Sequence, residues 1–197
     1  VAADEGPETL LVSPFLRVIQ TATPTSHALG LPLKVEPGLA EIHYVPGRLP
    51  TPAARFQYFP HVDPDYTPIY ETPATAGEID DATGMPCETY PRGYLERVMA
   101  FTPLLEKAVE GQRVALFSHA ASVAIVAALL DMSLEEVGRF APCGVYHLRK
   151  EGDGAWELLG SGADNTGHVS ENHDSTFPWG YANDPTSCRI WAELRAK

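Results

Sequence analysis

Two short segments of the sequence place a side chain that can bind an anion shortly after an apolar run. Residues 10–12 (LLV) are followed within five positions by Arg17, at the start of a helical pattern. Residues 114–117 (VALF) are followed by a serine and then by His119. A guanidinium presents paired planar donors that match the oxygens of a phosphate, and an imidazole can contact the same oxygens. Together the two segments predict a site for an oxyanion.

The position of Arg17 within its helix supports this prediction. A cation in the first turn lies at the positive end of the helix macrodipole, where it is unfavourable on its own. A bound anion removes the conflict, because it accepts hydrogen bonds from the guanidinium and from the free backbone N–H groups. Ser13, which opens the turn before this helix, is a further candidate for binding the anion. The alternative interpretation is a surface arginine that binds nothing.

Two other segments supply a carboxyl group and a small residue. Glu41 ends the segment 35–41 (VEPGLAE), directly after the end of another predicted strand. A partly desolvated carboxyl group at this place can act as a general acid for a leaving alcohol. Ala120 follows His119 and is small enough to let a substrate approach the backbone. The plainer alternatives are a hydrogen-bonded structural histidine at 119 and a solvated glutamate at 41.

Strands that alternate with helices must position these candidates, as the apolar pattern indicates. Strands are predicted at residues 9–12, 33–35 and 114–117, and helices at about 16–29 and 93–109. The later pattern predicts a helix at about 122–130, a capping-box helix from 133 to about 140, and a hairpin of 145–148 with 156–159. This alternation predicts an α/β fold with a largely parallel sheet. Ligands of such sheets bind at the carboxyl ends of the strands, where the candidate residues lie.

The length and composition predict one domain over residues 1–197, since 44% of the residues are hydrophobic. Residues 41–90 are rich in proline and show no periodicity. They are predicted to form a lid or binding loop, or else a tolerated surface insertion. Residues 161–197 show no pattern that assigns them to an element.

The charge balance limits the classes of partner. The sequence holds 26 acidic and 14 basic residues, for a net charge of −12, which argues against a broad surface for nucleic acid or anionic membranes. Its three cysteines form no paired motif and predict free thiols in a reducing compartment. The apolar runs are too short to span a bilayer. We therefore expect a cytoplasmic protein that binds neither nucleic acid nor membranes.

A metal site is the next alternative. His61 lies close in sequence to Asp63 and Asp65, and His168 lies close to His173. Neither spacing is typical of zinc, and a proline restrains the first group. No metal ligand and no cofactor is therefore predicted.

Three of these segments, taken in order, resemble the motifs of the histidine phosphatase superfamily, which includes the cofactor-dependent phosphoglycerate mutases. The motif SPxxRxxQTA stands at residues 13–22, and a VSHxxS-like strand end stands at residues 117–122. The segment VEPGLAE at 35–41 and the triplet ETY at 88–90 are most similar to the branch of ecdysteroid-phosphate phosphatases and ubiquitin-associated SH3 phosphatases. The resemblance covers residues 9–159, and its first motif is the most specific.

This resemblance implies a three-layer, phosphoglycerate mutase-like α/β fold, with helices on both faces of the sheet. It implies that a histidine attacks phosphorus and that water then hydrolyses the phosphohistidine. Arg17 and His119, with Ser13 and Ala120 beside them, would bind the phosphoryl oxygens, and Glu41 would protonate the leaving oxygen. The substrate would be a phosphorylated small molecule or a phosphoprotein, without a cofactor, and the protein would be a possible homodimer.

One family motif is absent from the sequence. The superfamily carries its attacking histidine in an N-terminal Arg-His-Gly motif on the first strand of the fold, and this sequence contains no Arg-His-Gly. We expect an N-terminally truncated domain that lacks this strand, since the strand lies inside the family's sheet. His168 or His173 as a substitute nucleophile is a weaker alternative. The other reading is a non-catalytic module that binds phosphate or a partner, for which transcription-factor subunits with this fold offer an analogy.

Overall fold

The structure, a computed structural model, describes residues 6–42, 50–70, 79, 84, 87–137, 141–162, 165, 167–168 and 184–197. The chain divides into two units, residues 1–119 and residues 120–197. The first unit contains the sheet that follows from the predicted strands. The second contains a helical part and a hairpin.

The sheet of the first unit has three parallel strands in the order β2-β1-β3. They are β1 (Thr9–Val12), β2 (Leu33–Val35) and β3 (Val114–Phe117), with the predicted bounds. Val12 at the end of β1 pairs with Val35 on one side and with Phe117 on the other. All three strands therefore end at the same level of the sheet, and the residues that follow them share one edge. The predicted α/β fold is confirmed.

Helix α1 (Leu16–Leu29) covers one face of this sheet and has the predicted bounds. Its Ile19 and Ala22 pack in one buried cluster with Leu10 and Val12 of β1. The helix ends at Gly30, whose φ of 65° lies in the left-handed region that glycine adopts without strain. The apolar spacing of the helix and its terminal glycine were sufficient to locate it.

Strand β3 is less buried than its sequence suggests. The run VALF is typical of a strand covered on both faces, yet Leu116 is 38% exposed and the other three residues are only half-buried. Among the described residues, β3 pairs with β1 alone and lies at the edge of the sheet. The expectation of a fully covered strand is therefore wrong for this part of the chain.

Part of the proline-rich segment packs on the outer edge of β2. A short helix, α2 (Pro52–Phe56), begins at Thr51, whose hydroxyl accepts a hydrogen bond from the backbone N–H of Ala54. Val62 is buried, and Leu33 of β2 exchanges backbone hydrogen bonds with the residues on either side of it. Residues 43–49, 71–78, 80–83 and 85–86 lie outside the described residues, so the lid and the insertion both stay predictions.

The longest helix, α3 (Arg92–Ala108), begins and ends one residue before the predicted bounds. Its buried face includes Tyr94, Leu95 and Phe101. The Phe101 ring lies so close to Gly38 that a Cβ there would be 2.3 Å from a ring carbon. Gly38 belongs to a one-turn 3₁₀ helix, Pro37–Leu39. Only glycine lets this turn, which leads to Glu41, pack against α3.

The second unit begins with a one-turn 3₁₀ helix, Ala120–Ser122, followed by α4 (Val123–Leu129) and α5 (Leu134–Val137). The predicted capping box of α5 is present, because Ser133 and Glu136 each accept a hydrogen bond from the other's backbone N–H. The hairpin strands are β4 (His147–Arg149) and β5 (Glu157–Gly160), shifted by one or two residues from the prediction. Residues 138–140 lie outside the described residues.

A last helix, α6 (Pro185–Arg195), was not predicted. Asp184 caps its start by accepting hydrogen bonds from the N–H groups of Thr186 and Ser187, and Pro185 takes the first position. Trp191 anchors the helix by burying its ring and donating a hydrogen bond to the carbonyl of Met132. This cap-and-proline signal was readable in a segment that otherwise looks patternless.

Candidate functional site

Four predicted residues of the first unit meet at the carboxyl edge of the sheet: Ser13, Arg17, Glu41 and His119. Ser13 follows β1, and its N–H extends the sheet ladder by donating to the carbonyl of Phe117 at 2.9 Å. His119 follows β3 two residues after its end. The common level of the strand ends is what brings side chains more than one hundred residues apart into contact.

The imidazole of His119 is the centre of this group. Its Nε2 lies 2.7 Å from the hydroxyl of Ser13, and its Nδ1 lies 3.0 Å from Nη2 of Arg17. A carboxylate oxygen of Glu41 lies 3.2 Å from the same Nδ1 and 3.2 Å from the same Nη2. The His119 side chain is 3% exposed, and Ser13 is buried. All four residues therefore belong to one contact network.

The surroundings of His119 keep it neutral. Burial, followed by the positive charges of Arg17 and Arg97, lowers the pKa of His119 to about 3. Because a guanidinium only donates hydrogen bonds, the contact with Arg17 makes Nδ1 the acceptor. In that tautomer, Nε2 carries the proton and donates a hydrogen bond to the hydroxyl oxygen of buried Ser13. Ser13 thus orients the ring, a role that sequence reasoning did not assign to it.

Arg17 is the exposed member of the group, with 58% of its side chain accessible. The first turn of α1 contains no acidic residue, and no side chain in the described part of the protein caps it. The guanidinium lies 4.9 Å from the ring centre of Phe15, which also meets the His119 ring edge-on at 5.1 Å. Arg17 can therefore turn its donors toward a ligand at the mouth of the site. Phe15 was not predicted, since position 15 lies inside the motif without defining it.

The distance along the chain between strand β2 and Glu41 differs from the prediction. Glu41 does not follow β2 directly, because Glu36, the 3₁₀ turn Pro37–Leu39 and Ala40 lie between the strand and Glu41. Ala120 is the first residue of the second unit and opens its 3₁₀ helix. The predicted contact of Ala120 with a substrate stays a prediction.

The other candidates lie apart from this network or outside the described residues. Asp63 accepts a hydrogen bond from the backbone of Asp65 within a turn, and His61 packs against the ring of His27. His168 contacts the carbonyl of Cys143, and His173 is outside the described residues. In the part of the chain that the structure describes, no three histidine, cysteine or acidic side chains are grouped to hold a metal ion. No helix within those residues combines the length and apolarity that a membrane span requires.

The group can bind a tetrahedral oxyanion and move one proton. The guanidinium of Arg17 supplies charged N–H donors, and the backbone N–H groups of the first turn of α1 lie next to it. A partly exposed carboxyl at Glu41, within reach of the same guanidinium, is placed beside any ligand that Arg17 holds. A carboxyl group there can give a proton to a leaving oxygen or take one from water.

Comparison with known proteins identifies relatives of the whole chain. The chain is similar to the "Transcription factor tau 55 kDa subunit" of Saccharomyces cerevisiae, with 29% identity over 97% of this chain and 42% of the yeast protein. The chain thus spans less than half the length of that relative. Its fold is similar to the crystal structure of the ecdysone phosphate phosphatase of Bombyx mori in complex with tungstate, with a TM-score of 0.55 and 20% identity. That similarity covers 85% of this chain and 68% of the phosphatase.

The family model of the histidine phosphatase superfamily (branch 1) matches residues 1–163, which is most of the chain. The resemblance first carried by the motifs at residues 13–22 and 117–122 is thereby confirmed. The chain belongs to the histidine phosphatase superfamily.

Proposed function

We propose that the intact protein hydrolyses a phosphomonoester, and that the phosphoryl group passes through a histidine. The observation that carries this proposal is the contact of Arg17, His119 and Glu41 at one edge of the parallel sheet. This contact brings together a guanidinium, an oriented imidazole and a carboxyl group. Binding of the phosphoryl oxygens is assigned to Arg17 and His119, and proton transfer to Glu41.

The proposed reaction has two steps. An imidazole nitrogen forms a bond to phosphorus while the bond from phosphorus to the ester oxygen breaks, and the carboxyl of Glu41 protonates the departing alcohol. In the second step, water forms a bond to phosphorus, its proton returns to Glu41, and the phosphorus–nitrogen bond breaks. The products are an alcohol and inorganic phosphate. Arg17 stabilises the charge of the transferring group in both steps.

The attacking histidine is proposed to come from a part of the protein outside this sequence. The sequence has no Arg-His-Gly motif, and the imidazole of His119 is already held by Ser13 and Arg17. The half-exposed apolar residues of β3 support this arrangement, because β3 pairs with β1 alone in the described part of the chain and a further strand beside it would cover them. The substrate is proposed to be a phosphorylated small molecule or phosphoprotein of the cytoplasm.

Arg17 gives the most direct test of this function. In the intact protein, Arg17→Ala is expected to lower kcat/KM for p-nitrophenyl phosphate by about 100-fold or more, and to weaken tungstate binding measured by titration calorimetry. Arg113→Ala, which removes another exposed arginine of the first unit, is the matched control and should change neither quantity. Equal rates in the protein and in Arg17→Ala would overturn the phosphate role.

A second candidate function is a non-catalytic subunit that binds a phosphorylated group or a protein partner. The alignment with a transcription factor subunit over 97% of this chain favours it. The same experiment separates the two functions. Tungstate binding that depends on Arg17, without turnover of p-nitrophenyl phosphate by the intact protein, would support the binding subunit and exclude hydrolysis.

A further inference from the structure

We propose that Arg97, held in place by Glu88, is a positioning residue that sets the location of Glu41. This inference rests on the proposed function, in which Glu41 transfers the proton. Arg97 touches neither the substrate site nor the side chain of Glu41 in the contacts given below. It acts on the backbone that carries Glu41.

The guanidinium of Arg97 lies in the interior of the first unit, on helix α3. Its side chain is 3% exposed, and that of Glu88 is 5% exposed. Nε of Arg97 donates to one carboxylate oxygen of Glu88 at 2.6 Å, and Nη2 donates to the other at 3.0 Å. This two-point pairing compensates both buried charges and fixes the plane of the guanidinium.

Three further hydrogen bonds from Arg97 go to one segment of backbone. Nη1 donates to the carbonyl of Gly38 at 2.9 Å, and Nη2 donates to the carbonyls of Ala40 and Glu41 at 3.0 and 3.1 Å. The carbonyl between them, that of Leu39, accepts a hydrogen bond from the hydroxyl of Ser118 at 2.8 Å. Four successive carbonyls, from residue 38 to residue 41, are thus held by side chains.

This arrangement links the two halves of the site. Ser118 precedes His119, so the residue that anchors the Leu39 carbonyl also sits beside the imidazole that Glu41 contacts. The backbone of Glu41 is therefore fixed relative to His119 from two directions, by α3 and by the end of β3. A carboxyl on a loop without these bonds would sample several positions, and a displacement of about 1 Å can cost about 100-fold in rate.

Only an arginine can make this set of contacts. These contacts require a planar group that binds a carboxylate at two points and still presents N–H donors to three carbonyls. A lysine keeps the positive charge but offers one ammonium, which cannot reach the carboxylate and all three carbonyls at once. Arg97→Lys therefore separates the charge of Arg97 from its positioning role. Ser118→Ala is a milder second variant, which removes the bond to the Leu39 carbonyl and leaves the contacts of Arg97 in place.

The first readout uses two esters that differ in their need for an acid. The intact protein and its variants are assayed on glycerol 2-phosphate, whose alkoxide must be protonated to leave, and on p-nitrophenyl phosphate, whose leaving group needs no proton. In Arg97→Lys, kcat/KM for the alkyl ester should fall by about 10- to 100-fold, while the aryl ester changes by less than about threefold. Ser118→Ala should show the same selectivity with a smaller loss. Arg92→Lys, at the exposed start of α3, is the control and should change neither rate.

The second readout is hydrogen exchange, which does not depend on turnover. In Arg97→Lys, the amides of residues 39–42 should exchange roughly tenfold faster, while those in the middle of α3 keep their rates. An equal loss on both esters, or unchanged exchange at residues 39–42, would overturn the positioning role and leave the proposed hydrolysis standing. If the intact protein hydrolyses neither ester, the proposed hydrolysis fails, and exchange at residues 39–42 alone decides whether Arg97 positions Glu41.

Discussion

The imidazole of His119 combines burial with two neighbouring positive charges. Its contacts with Ser13 and Arg17 satisfy both ring nitrogens in the neutral form. A neutral imidazole leaves Arg17 as the charged donor that faces solvent in this network, so an anion that binds at the proposed site meets the charge of one guanidinium. In the proposed function, the charge that binds the phosphoryl oxygens therefore comes from Arg17, while the neutral ring of His119, oriented by Ser13, contacts the same oxygens.

The low pKa of His119 predicts how stability depends on pH. Burial first, and then Arg17 and Arg97, lower this pKa to about 3 in the folded protein, whereas an unfolded histidine has a pKa near 6.5. Between about pH 3 and pH 6.5, His119 therefore binds a proton in the unfolded chain but not in the folded protein. For this reason, the contribution of His119 to the free energy of unfolding is complete above about pH 6.5. It decreases as the pH falls toward 3, by up to about 1.4 kcal/mol per pH unit.

Urea unfolding of the protein and of His119→Asn between pH 4 and 8 measures this dependence. The free energies of unfolding should run parallel above about pH 6.5 and converge below it. NMR titration of the imidazole signals gives the same pKa directly. Curves that stay parallel down to pH 4 would contradict the neutral, buried imidazole.

Among the site residues, those next to strand ends were predictable from sequence, and those in the interior of helices were not. Arg17, Glu41 and His119 stand in short motifs after strands, where parallel topology brings ligands. Arg97 lies within the apolar periodicity of α3, between the buried Tyr94 and Val98. Such a position usually predicts packing, and the partner Glu88 is nine residues away. Nothing local in the sequence shows that this arginine points at three carbonyls of a distant turn.

At the level of elements, Glu36 connects the proline-rich segment to the turn that leads to Glu41. This carboxylate is fully buried and accepts hydrogen bonds from the N–H groups of Gly38, Ile69 and Tyr70. It also accepts one from the hydroxyl of Tyr66 at 2.9 Å. Burial raises the pKa of Glu36, although these four bonds act in the opposite direction. Tyr66, Ile69 and Tyr70 are thereby bound to the residue that precedes the turn Pro37–Leu39.

Removal of one of these bonds tests the strength of that connection. Tyr66→Phe is expected to lower the free energy of unfolding by about 1.5 kcal/mol, since it deletes a hydrogen bond to a buried charged acceptor. Tyr58→Phe is the matched control, because Tyr58 lies in the same segment and is 80% exposed, and it should cost less than about 0.5 kcal/mol. Both values come from urea unfolding at pH 7. Equal effects of the two substitutions would show that residues 66–70 are not held by Glu36.

Elements defined by local signals were predicted well, and those defined by distant contacts were not. Helix α1 has a regular apolar face and a terminal glycine, and its bounds agree with the prediction. Strand β3 has the predicted bounds, but its burial depends on which strand lies beside it, which no local pattern reveals. Helix α6 was missed because its buried Trp191 and Ile190 follow a long polar stretch, and its capping signal was not read.

At the scale of the whole molecule, the proposed anion site lies within a strongly acidic chain. The net charge of −12 reflects 26 acidic and 14 basic residues. Two of the basic residues in the first unit, Arg97 and Arg113, are engaged by Glu88 and Glu8 respectively. An overall field of this sign lowers the local concentration of polyanions, whereas a single exposed guanidinium can still bind one small oxyanion. The charge balance therefore favours small or isolated phosphate groups as ligands of the proposed site.

This contrast leads to a prediction about nucleic acid, which the similarity to a transcription factor subunit makes worth testing. Non-specific DNA binding requires several phosphate contacts from a basic surface and gives Kd values of about 1 to 100 µM at physiological salt. With a net charge of −12, the chain should not change the fluorescence anisotropy of a labelled duplex at protein concentrations up to about 100 µM. Tungstate binding in the same sample is the control for a folded site. Micromolar binding to the duplex that weakens steeply with added salt would contradict this prediction and place a basic surface on the protein.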